Sequence, residues 1–324
     1  MRVRVFHHDH CFDGCCSASL FARFYRERID AGADFQFSGL VHRAGALFNE
    51  SEFDGDVNAI VDFKYSPSPK IKWWFDHHLS AFLSPEDQQH FREHPSETKF
   101  YDPEFPSCTS WIARVAADRF GFDAAPVADV VKWADIVDAA RFESAEVAVA
   151  MQEPAMKLTL AIEATQDPAF IQQLIPSLAY KPLAEIVESP LVAGVLPPLL
   201  KRHRESIDIL RNNSACKDQT IYFDVTKYDL EGYNKFVPYY LHPDSTYSVG
   251  LSSSSFRTKV SVGSNPWTKT PEEKMVNLAA ICERYGGGGH ARVGAISFPP
   301  DRADQARAAA AEIVAELRAA ARGQ

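Results

Sequence analysis

Acidic and imidazole side chains crowd into one short segment near the start of the chain. Residues 7–13 contain three histidines and two aspartates without a lysine or arginine among them. Like charges that are buried together repel each other unless a cation neutralises them, so this composition predicts a divalent-metal site. The first candidate ligands are His8 and Asp13, followed by His7, Asp9 and Cys11.

Two further groups of polar side chains follow apolar stretches of strand composition. Residues 57–61 end at Asp62, and residues 71–75 end at Asp76, His77 and His78. The carboxyl ends of strands in an open α/β sheet commonly present a ligand site. Asp62 is therefore a candidate bridging ligand at the same sheet edge as the Asp-His-His triplet.

A predicted helix over 127–140 carries two more carboxylates. Asp135 and Asp138 are three residues apart and share one helical face, and their neighbours are apolar. We expect one of the two to point at the metals while the other is oriented by a neighbour.

Four consecutive glycines, 286–289, follow another predicted helix. One glycine is enough to end a helix, whereas a run of glycines lets backbone N–H groups approach an anion. This predicts an anion-binding segment, with a flexible hinge as the alternative. Its candidate substrate-binding residues are Gly287, Gly288, Gly289, His290 and Arg292.

Hydrophobic periodicity supplies the elements that must position these residues. Residues 2–6 alternate as a strand and lead into a helical pattern at 20–25, and residues 144–211 have helical patterns. Beyond 219, β-branched and aromatic residues predict a second group of strands. Their predicted positions are 220–224, 239–241, 247–251 and 258–262, followed by helices at 271–285 and 301–322.

The composition limits the classes of function. A chain of 324 residues with 46% hydrophobic content favours two domains, and no apolar run reaches membrane-spanning length. A net charge of −9 argues against binding duplex nucleic acid but leaves room for a short nucleotide held locally. Six dispersed cysteines suit a reducing compartment, so we expect a cytoplasmic protein.

Taken together and in this order, the motifs resemble those of the DHH phosphoesterase superfamily. The matching segments are 8–14, the strand ending at Asp62, the Asp76-His77-His78 signature, the helix at 134–138, and the glycine run at 286–290. The resemblance implies a doubly wound parallel α/β sheet in a catalytic domain, residues 1–145. A helical insertion and linker, 146–215, and a smaller mixed-sheet DHH-associated domain, 216–324, would follow.

The resemblance also implies two Mn²⁺ ions, with Mg²⁺ as the alternative. His8 would bind one ion, Asp13 and His77 the other, and Asp62 would bridge them, with Asp135 or Asp138 completing the second site. His78 would face the substrate phosphate as a catalytic residue, and Asp76 would orient the imidazoles. Many family members carry aspartate where Cys11 stands, which leaves Cys11, Asp9 or His7 to complete the first site.

The implied function is hydrolysis of a phosphoester or phosphoanhydride bond in a small nucleotide by metal-activated water. The expected partner is a short oligonucleotide, a bisphosphorylated nucleoside or a dinucleotide, without duplex nucleic acid or a membrane. A homodimer is compatible with the sequence. The alternatives are a nucleotide-sensing protein that has lost catalysis and an inorganic pyrophosphatase or polyphosphatase.

Overall fold

The strands around the acidic motifs form one parallel sheet in the computed structural model, which describes residues 1–42, 47–228, 230 and 232–322. The sheet has the order β2-β1-β3-β4-β5. Its strands are β1 (Arg2–His8), β2 (Asp34–Leu40), β3 (Val57–Val61), β4 (Ile71–Asp76) and β5 (Lys99–Tyr101). The strand order reverses between β1 and β3, and ligands bind outside the carboxyl ends of parallel strands at such a reversal.

Helices cover both faces of this sheet, as the composition of β4 requires. Trp73 and Trp74 point to opposite faces because side chains alternate along a strand. The Trp73 ring lies 5.7 Å from that of Phe21, and the Trp74 ring lies 4.8 Å from that of Tyr65. Both tryptophans are buried, as expected of a strand that is covered on both faces.

The helices up to residue 193 are mostly short. They are α1 (Phe12–Arg28), α2 (Pro85–Glu93), α3 (Cys108–Phe120), α4 (Ala128–Asp138), α5 (Ala145–Val149), α6 (Pro154–Ala164), α7 (Pro168–Leu178), α8 (Leu183–Glu188) and α9 (Pro190–Ala193). The exception is α1, which is buried along most of its length. Its first turn follows directly on the end of β1 and carries Asp13.

A second, mixed sheet has the order β10-β11-β9-β8-β7-β6, in which only the β7 and β8 pair is parallel. Its strands are β6 (Ser214–Lys217), β7 (Thr220–Asp224), β8 (Tyr247–Ser253), β9 (Thr258–Ser264), β10 (Gly288–His290) and β11 (Val293–Phe298). The remaining helices are α10 (Leu196–Asn213), α11 (Val237–Leu241), α12 (Leu278–Glu283) and α13 (Ala303–Arg322). The parallel α/β sheet followed by a mixed sheet confirms the predicted fold class.

The chain divides into two compact units. The first contains Met1–Phe142 and Gln152–Leu199, and the second contains Glu143–Met151 and Leu200–Gln324. Residues 146–215, which we expected to form a helical insertion and linker, are thus shared between the units. No described helix has the length and hydropathy needed to cross a bilayer.

One predicted element is wrong in type and another is wrong in extent. The strand predicted at 239–241 is the end of α11, because Pro238 fits the first turn of a helix. The helix predicted at 271–285 is a 3-10 turn at Glu272–Lys274 and then α12, separated by Met275 in an extended conformation.

Candidate metal centre

Five of the predicted ligand residues come together at the carboxyl edge of the parallel sheet. His8 ends β1, Asp62 follows β3, and His77 follows β4. Asp13 lies in the first turn of α1, and Asp138 is the last residue of α4. Because β1, β3 and β4 are adjacent and parallel, their ends bring the first three residues to one place.

Three carboxylate oxygens surround one nitrogen of His77. Its Nε2 lies 3.4 Å from Asp138 Oδ2, 3.6 Å from Asp62 Oδ1 and 3.8 Å from Asp13 Oδ2. Ligands of one octahedral cation with bonds near 2.1 Å lie about 3 Å apart. We call the set Asp13, Asp62, His77 and Asp138 the His77 position, and it fits a divalent cation after small side-chain shifts.

The other ring nitrogen of His77 is hydrogen bonded to the backbone. Its Nδ1 lies 3.0 Å from the carbonyl oxygen of Phe105 and must donate to it. This arrangement directs Nε2 toward the carboxylates and is typical of a metal-binding histidine. Burial disfavours the charged imidazole, but Asp62 and Asp13 outweigh it and raise the pKa of His77 to about 10. A bound cation would compete with that proton.

Asp62 faces both sides of the cluster. Its Oδ1 lies 3.6 Å from His77 Nε2, and its Oδ2 lies 3.5 Å from His8 Nδ1. Neither oxygen accepts a hydrogen bond from any residue that the structure describes. Burial opposes ionisation of Asp62, but the His77 and His8 imidazoles outweigh it and lower its pKa. A buried carboxylate with two unpartnered oxygens aimed in different directions is suited to bridge two cations.

Asp13 is held by the amino terminus of α3. Its carboxylate accepts the N–H groups of Cys108 and Thr109 at 2.7 and 3.0 Å, and the Thr109 hydroxyl at 2.6 Å. Burial, followed by the negative charges of Asp62 and Asp138, raises the pKa of Asp13. A cation at the His77 position would favour the ionised carboxylate.

Asp76 organises the turn that follows β4. Its Oδ1 accepts the backbone N–H of His77 at 2.8 Å and lies 2.7 Å from Nδ1 of His78. Burial lowers the pKa of His78, but the hydrogen bond to Asp76 outweighs it and raises the pKa to about 9. The hydrogen bond to Asp76 thus favours the protonated form of this partly exposed imidazole, which can bind an anionic group.

The two carboxylates of α4 have different neighbours. Asp138 contributes to the His77 position, whereas Asp135 Oδ1 accepts a hydrogen bond of 2.6 Å from the hydroxyl of Ser107. Ser107 is also the N-cap of α3. The geometry therefore favours Asp138 as the ligand and gives Asp135 the orienting contact.

A thiol, that of Cys11, lies on the His8 side of Asp62. One ligand atom each of His8, Cys11 and Asp62 lies within 4.8 Å of the others, and we call this set the His8 position. Burial, followed by the charges of Asp62 and Asp13, raises the pKa of Cys11. His7 instead bonds through Nδ1 to the His8 carbonyl oxygen at 3.0 Å, and Asp9 accepts the N–H of His10 at 3.0 Å.

The predicted substrate-binding residues lie in the second unit, around β10. Gly286 has a φ of +75° after α12, and a Cβ on Gly287 would lie 2.3 Å from the Ala295 oxygen. The local backbone geometry therefore accounts for glycine at both positions. His290 is exposed, and Arg292 forms an ion pair of 3.3 Å with Glu272. Their contact with a substrate stays a prediction.

Sequence reasoning missed the residues that hold the ligands in place. Thr109 and the Phe105 carbonyl had no assigned role in the metal centre, and neither did Ser107, which donates to Asp135. The hydroxyl side chains at positions 107, 109 and 110 were the available signal for the roles of Ser107 and Thr109. A backbone carbonyl such as that of Phe105 leaves no signal in a sequence.

Comparisons with known proteins identify proteins of similar fold. No family model and no curated protein matches the chain. It is similar to PggH, a pGpG-specific phosphodiesterase from Vibrio cholerae, with 18% identity, a TM-score of 0.70, and coverage of 98% of this chain and 99% of that one. A DHH domain from a member of the S1p family of ribosomal proteins gives 12% identity and a TM-score of 0.62, with 97% and 86% covered.

RecJ from Thermus thermophilus, in complex with Mn²⁺, gives 16% identity and a TM-score of 0.52. That match covers 97% of this chain and 52% of RecJ. All three likenesses are at low identity and concern the fold. The chain therefore has the two-domain DHH fold that the order of its motifs indicates.

Proposed function

We propose that the chain is a divalent-metal-dependent phosphoesterase that hydrolyses phosphoester or phosphoanhydride bonds of a small nucleotide. The observation that carries this proposal is Asp62, whose buried and unpartnered oxygens face His77 on one side and His8 on the other. Carboxylate and imidazole ligands suit Mn²⁺ and Mg²⁺. The DHH-fold relative RecJ contains Mn²⁺, which supports a metal of this class.

Two ions would be held by the His77 position and the His8 position, with Asp62 shared between them. When bound, they would supply activation of water and neutralisation of charge on the phosphoryl group. The chain's own residues then have defined tasks. Asp13, held by the N–H of Cys108, and His77, oriented by the Phe105 carbonyl, would bind one ion, and His78 would bind a phosphoryl oxygen while Asp76 holds its ring.

A linear dinucleotide or short oligonucleotide is the substrate class that we favour. PggH, which matches over the full length of both chains, is specific for pGpG. The net charge of −9 disfavours long duplexes, because their binding depends on neutralising many phosphates. Gly287, Gly288, Gly289, His290 and Arg292 would bind the part of the nucleotide away from the scissile bond.

A substrate panel with Mn²⁺ tests this proposal. It contains linear dinucleotides, short single-stranded RNA, duplex DNA, a nucleoside 3′,5′-bisphosphate and pyrophosphate. We expect cleavage of the short linear substrates, and a loss of roughly a thousand-fold in Asp62→Asn, since an electrostatic contact at the reacting group is worth that much. Asp118→Asn makes the same chemical change on the exposed side of α3 and should keep full activity.

Each result of the panel has a distinct meaning. If the protein binds Mn²⁺ but cleaves nothing in the panel, the proposed activity is refuted. A dinucleotide that stays bound and intact after long incubation would instead indicate a nucleotide sensor. Hydrolysis of pyrophosphate alone would indicate an inorganic pyrophosphatase.

A further inference from the structure

The thiol of Cys11 lies at the His8 position of the metal centre. Cys11 is half-buried, forms no disulfide and is the N-cap of α1. Its Sγ, a ring nitrogen of His8 and a carboxylate oxygen of Asp62 lie within 4.8 Å of one another. Three different elements thus place a sulfur, a nitrogen and an oxygen around one point.

A second observation indicates that this point is a cation site. The Asp62 side chain is fully buried, and its Oδ2, which lies 3.5 Å from His8 Nδ1, accepts no hydrogen bond from the residues the structure describes. An ionised buried oxygen without a donor is unfavourable unless a cation lies beside it.

The neighbouring candidates for a third ligand, Asp9 and His7, are not grouped with His8 and Asp62. Asp9 lies against Gly39 of β2, where a Cβ on that glycine would be 2.3 Å from Asp9 Cγ. His7 is completely buried and bonds to the backbone of His8. Among these residues, only Cys11 shares the His8 position with His8 and Asp62.

We propose that Cys11 is a thiolate ligand of the His8 position, which therefore binds a thiophilic cation such as Zn²⁺, Co²⁺ or Fe²⁺ in preference to Mg²⁺. This inference rests on the proposed function in one respect, which is that both place cations at the same metal centre. On binding, the thiol proton leaves to solvent as the sulfur–metal bond forms, and no electrons are exchanged. The His77 position, with three carboxylates and an imidazole, keeps its preference for Mn²⁺ or Mg²⁺, so the two positions differ in metal choice.

Cobalt absorption spectroscopy on the chelator-treated full chain tests the proposal directly. Co²⁺ bound to a thiolate gives a near-ultraviolet charge-transfer band that oxygen and nitrogen ligands alone do not give. We expect the band in the wild type and in Cys216→Ser, which changes an exposed cysteine of the second unit. We expect its loss in Cys11→Ser, with Zn²⁺ affinity at the His8 position reduced roughly tenfold or more.

The Cys11→Asp variant should restore metal binding at the His8 position, which would not be expected if Cys11 had only a structural role. It should lose the band yet bind Mn²⁺ at the His8 position more tightly than the wild type does, because a carboxylate replaces the thiolate. A band that persists in Cys11→Ser, or cobalt that binds the wild type without the band, overturns the proposal. Hydrolysis of dinucleotides by a wild type that lacks the band would leave the proposed function standing while removing Cys11 from the ligands.

Alkylation of the unmodified wild type gives a readout that needs no variant to fold. Zn²⁺ should protect Cys11 from iodoacetamide at least tenfold relative to the metal-free protein, as mapped by mass spectrometry, while Cys216 stays equally reactive. Equal alkylation of Cys11 with and without bound Zn²⁺ would overturn the proposal.

Discussion

Asp62 combines three properties that are each unfavourable in a carboxylate. Its side chain is fully buried, its oxygens accept no hydrogen bond from the described residues, and its φ of +56° lies in the left-handed region. A residue held in a sparsely populated conformation costs on the order of 1 kcal/mol. Such a combination persists when something else in the site compensates for it, and a pair of cations would do so.

Asp138 and Asp135 offer a matched pair for testing the ligand assignment. We expect Asp138→Asn to weaken Mn²⁺ binding by roughly 100-fold, because it removes a charged oxygen from the His77 position, whereas Asp135→Asn should stay within about tenfold of the wild type. Calorimetric titration of the metal-free protein with Mn²⁺ measures both. A larger loss in Asp135→Asn than in Asp138→Asn would contradict the assignment.

The Asp76–His78 hydrogen bond predicts how the stability of the metal-free protein depends on pH. The folded state raises the pKa of His78 from 6.5 to about 9, so its stabilising effect is complete below pH 6.5 and is lost as the pH rises through 9. We expect the free energy of unfolding to fall over this window, and to fall less in Asp76→Asn. The free energy of unfolding is measured by urea denaturation at each pH, on protein from which metals have been removed with a chelator.

Asp118→Asn is the control for that experiment, because its carboxylate lies on the exposed side of α3. It should show the same pH slope as the wild type. Identical slopes in Asp76→Asn and the wild type would mean that Asp76 does not hold the His78 proton.

At the level of elements, the contact between β1 and α1 sets the geometry of both metal positions. A Cβ on Gly14 would lie 2.2 Å from the carbonyl oxygen of His8 and 2.9 Å from its Cβ. β1 cannot yield easily, since it is paired with β2 on one side and β3 on the other. Only glycine lets the helix begin this close to the strand end.

The Gly14→Ala variant therefore tests whether steric packing or helix propensity has the larger effect on stability. Propensity alone would stabilise the protein by up to about 1 kcal/mol, but we expect a net destabilisation of about 1–3 kcal/mol, together with weaker Mn²⁺ binding. Denaturant unfolding checks the sign. Gly32→Ala, whose nearest contact is 3.4 Å in an exposed turn, should change stability by less than about 0.5 kcal/mol, and a stabilised Gly14→Ala would contradict the packing argument.

The sequence was most informative where strands end. The change from an apolar run to Asp62 or Asp76 marks a buried strand and its carboxyl edge, and both strand ends lie where they were predicted. The choice between Asp135 and Asp138 depends on the rotation of α4 about its axis, which spacing alone does not fix. The helix at 237–241 was missed because tyrosine-rich segments have a high strand propensity. In the folded protein, Pro238 in the first helical turn and tertiary packing outweigh that propensity.

At the scale of the whole molecule, the two units have different chemical characters. The first holds every carboxylate and imidazole of the metal centre, whereas the second offers an open Gly288, the exposed His290 and the partly buried Arg292. The order of motifs along the chain predicted this division of chemistry, because each motif is local in sequence. The helical residues between them lacked such motifs, and their assignment to one unit or the other follows from packing alone.

The central claim is that side chains from five elements converge on divalent cations at the edge of the parallel sheet. An anomalous difference map from crystals of the full chain grown with Mn²⁺, recorded at the manganese absorption edge, tests it most directly. We predict one peak bounded by Asp13, Asp62, His77 and Asp138, and a second on the His8 side of Asp62, about 3.5–4 Å from the first. A map at full Mn²⁺ saturation with no peak in contact with Asp62 would contradict the account.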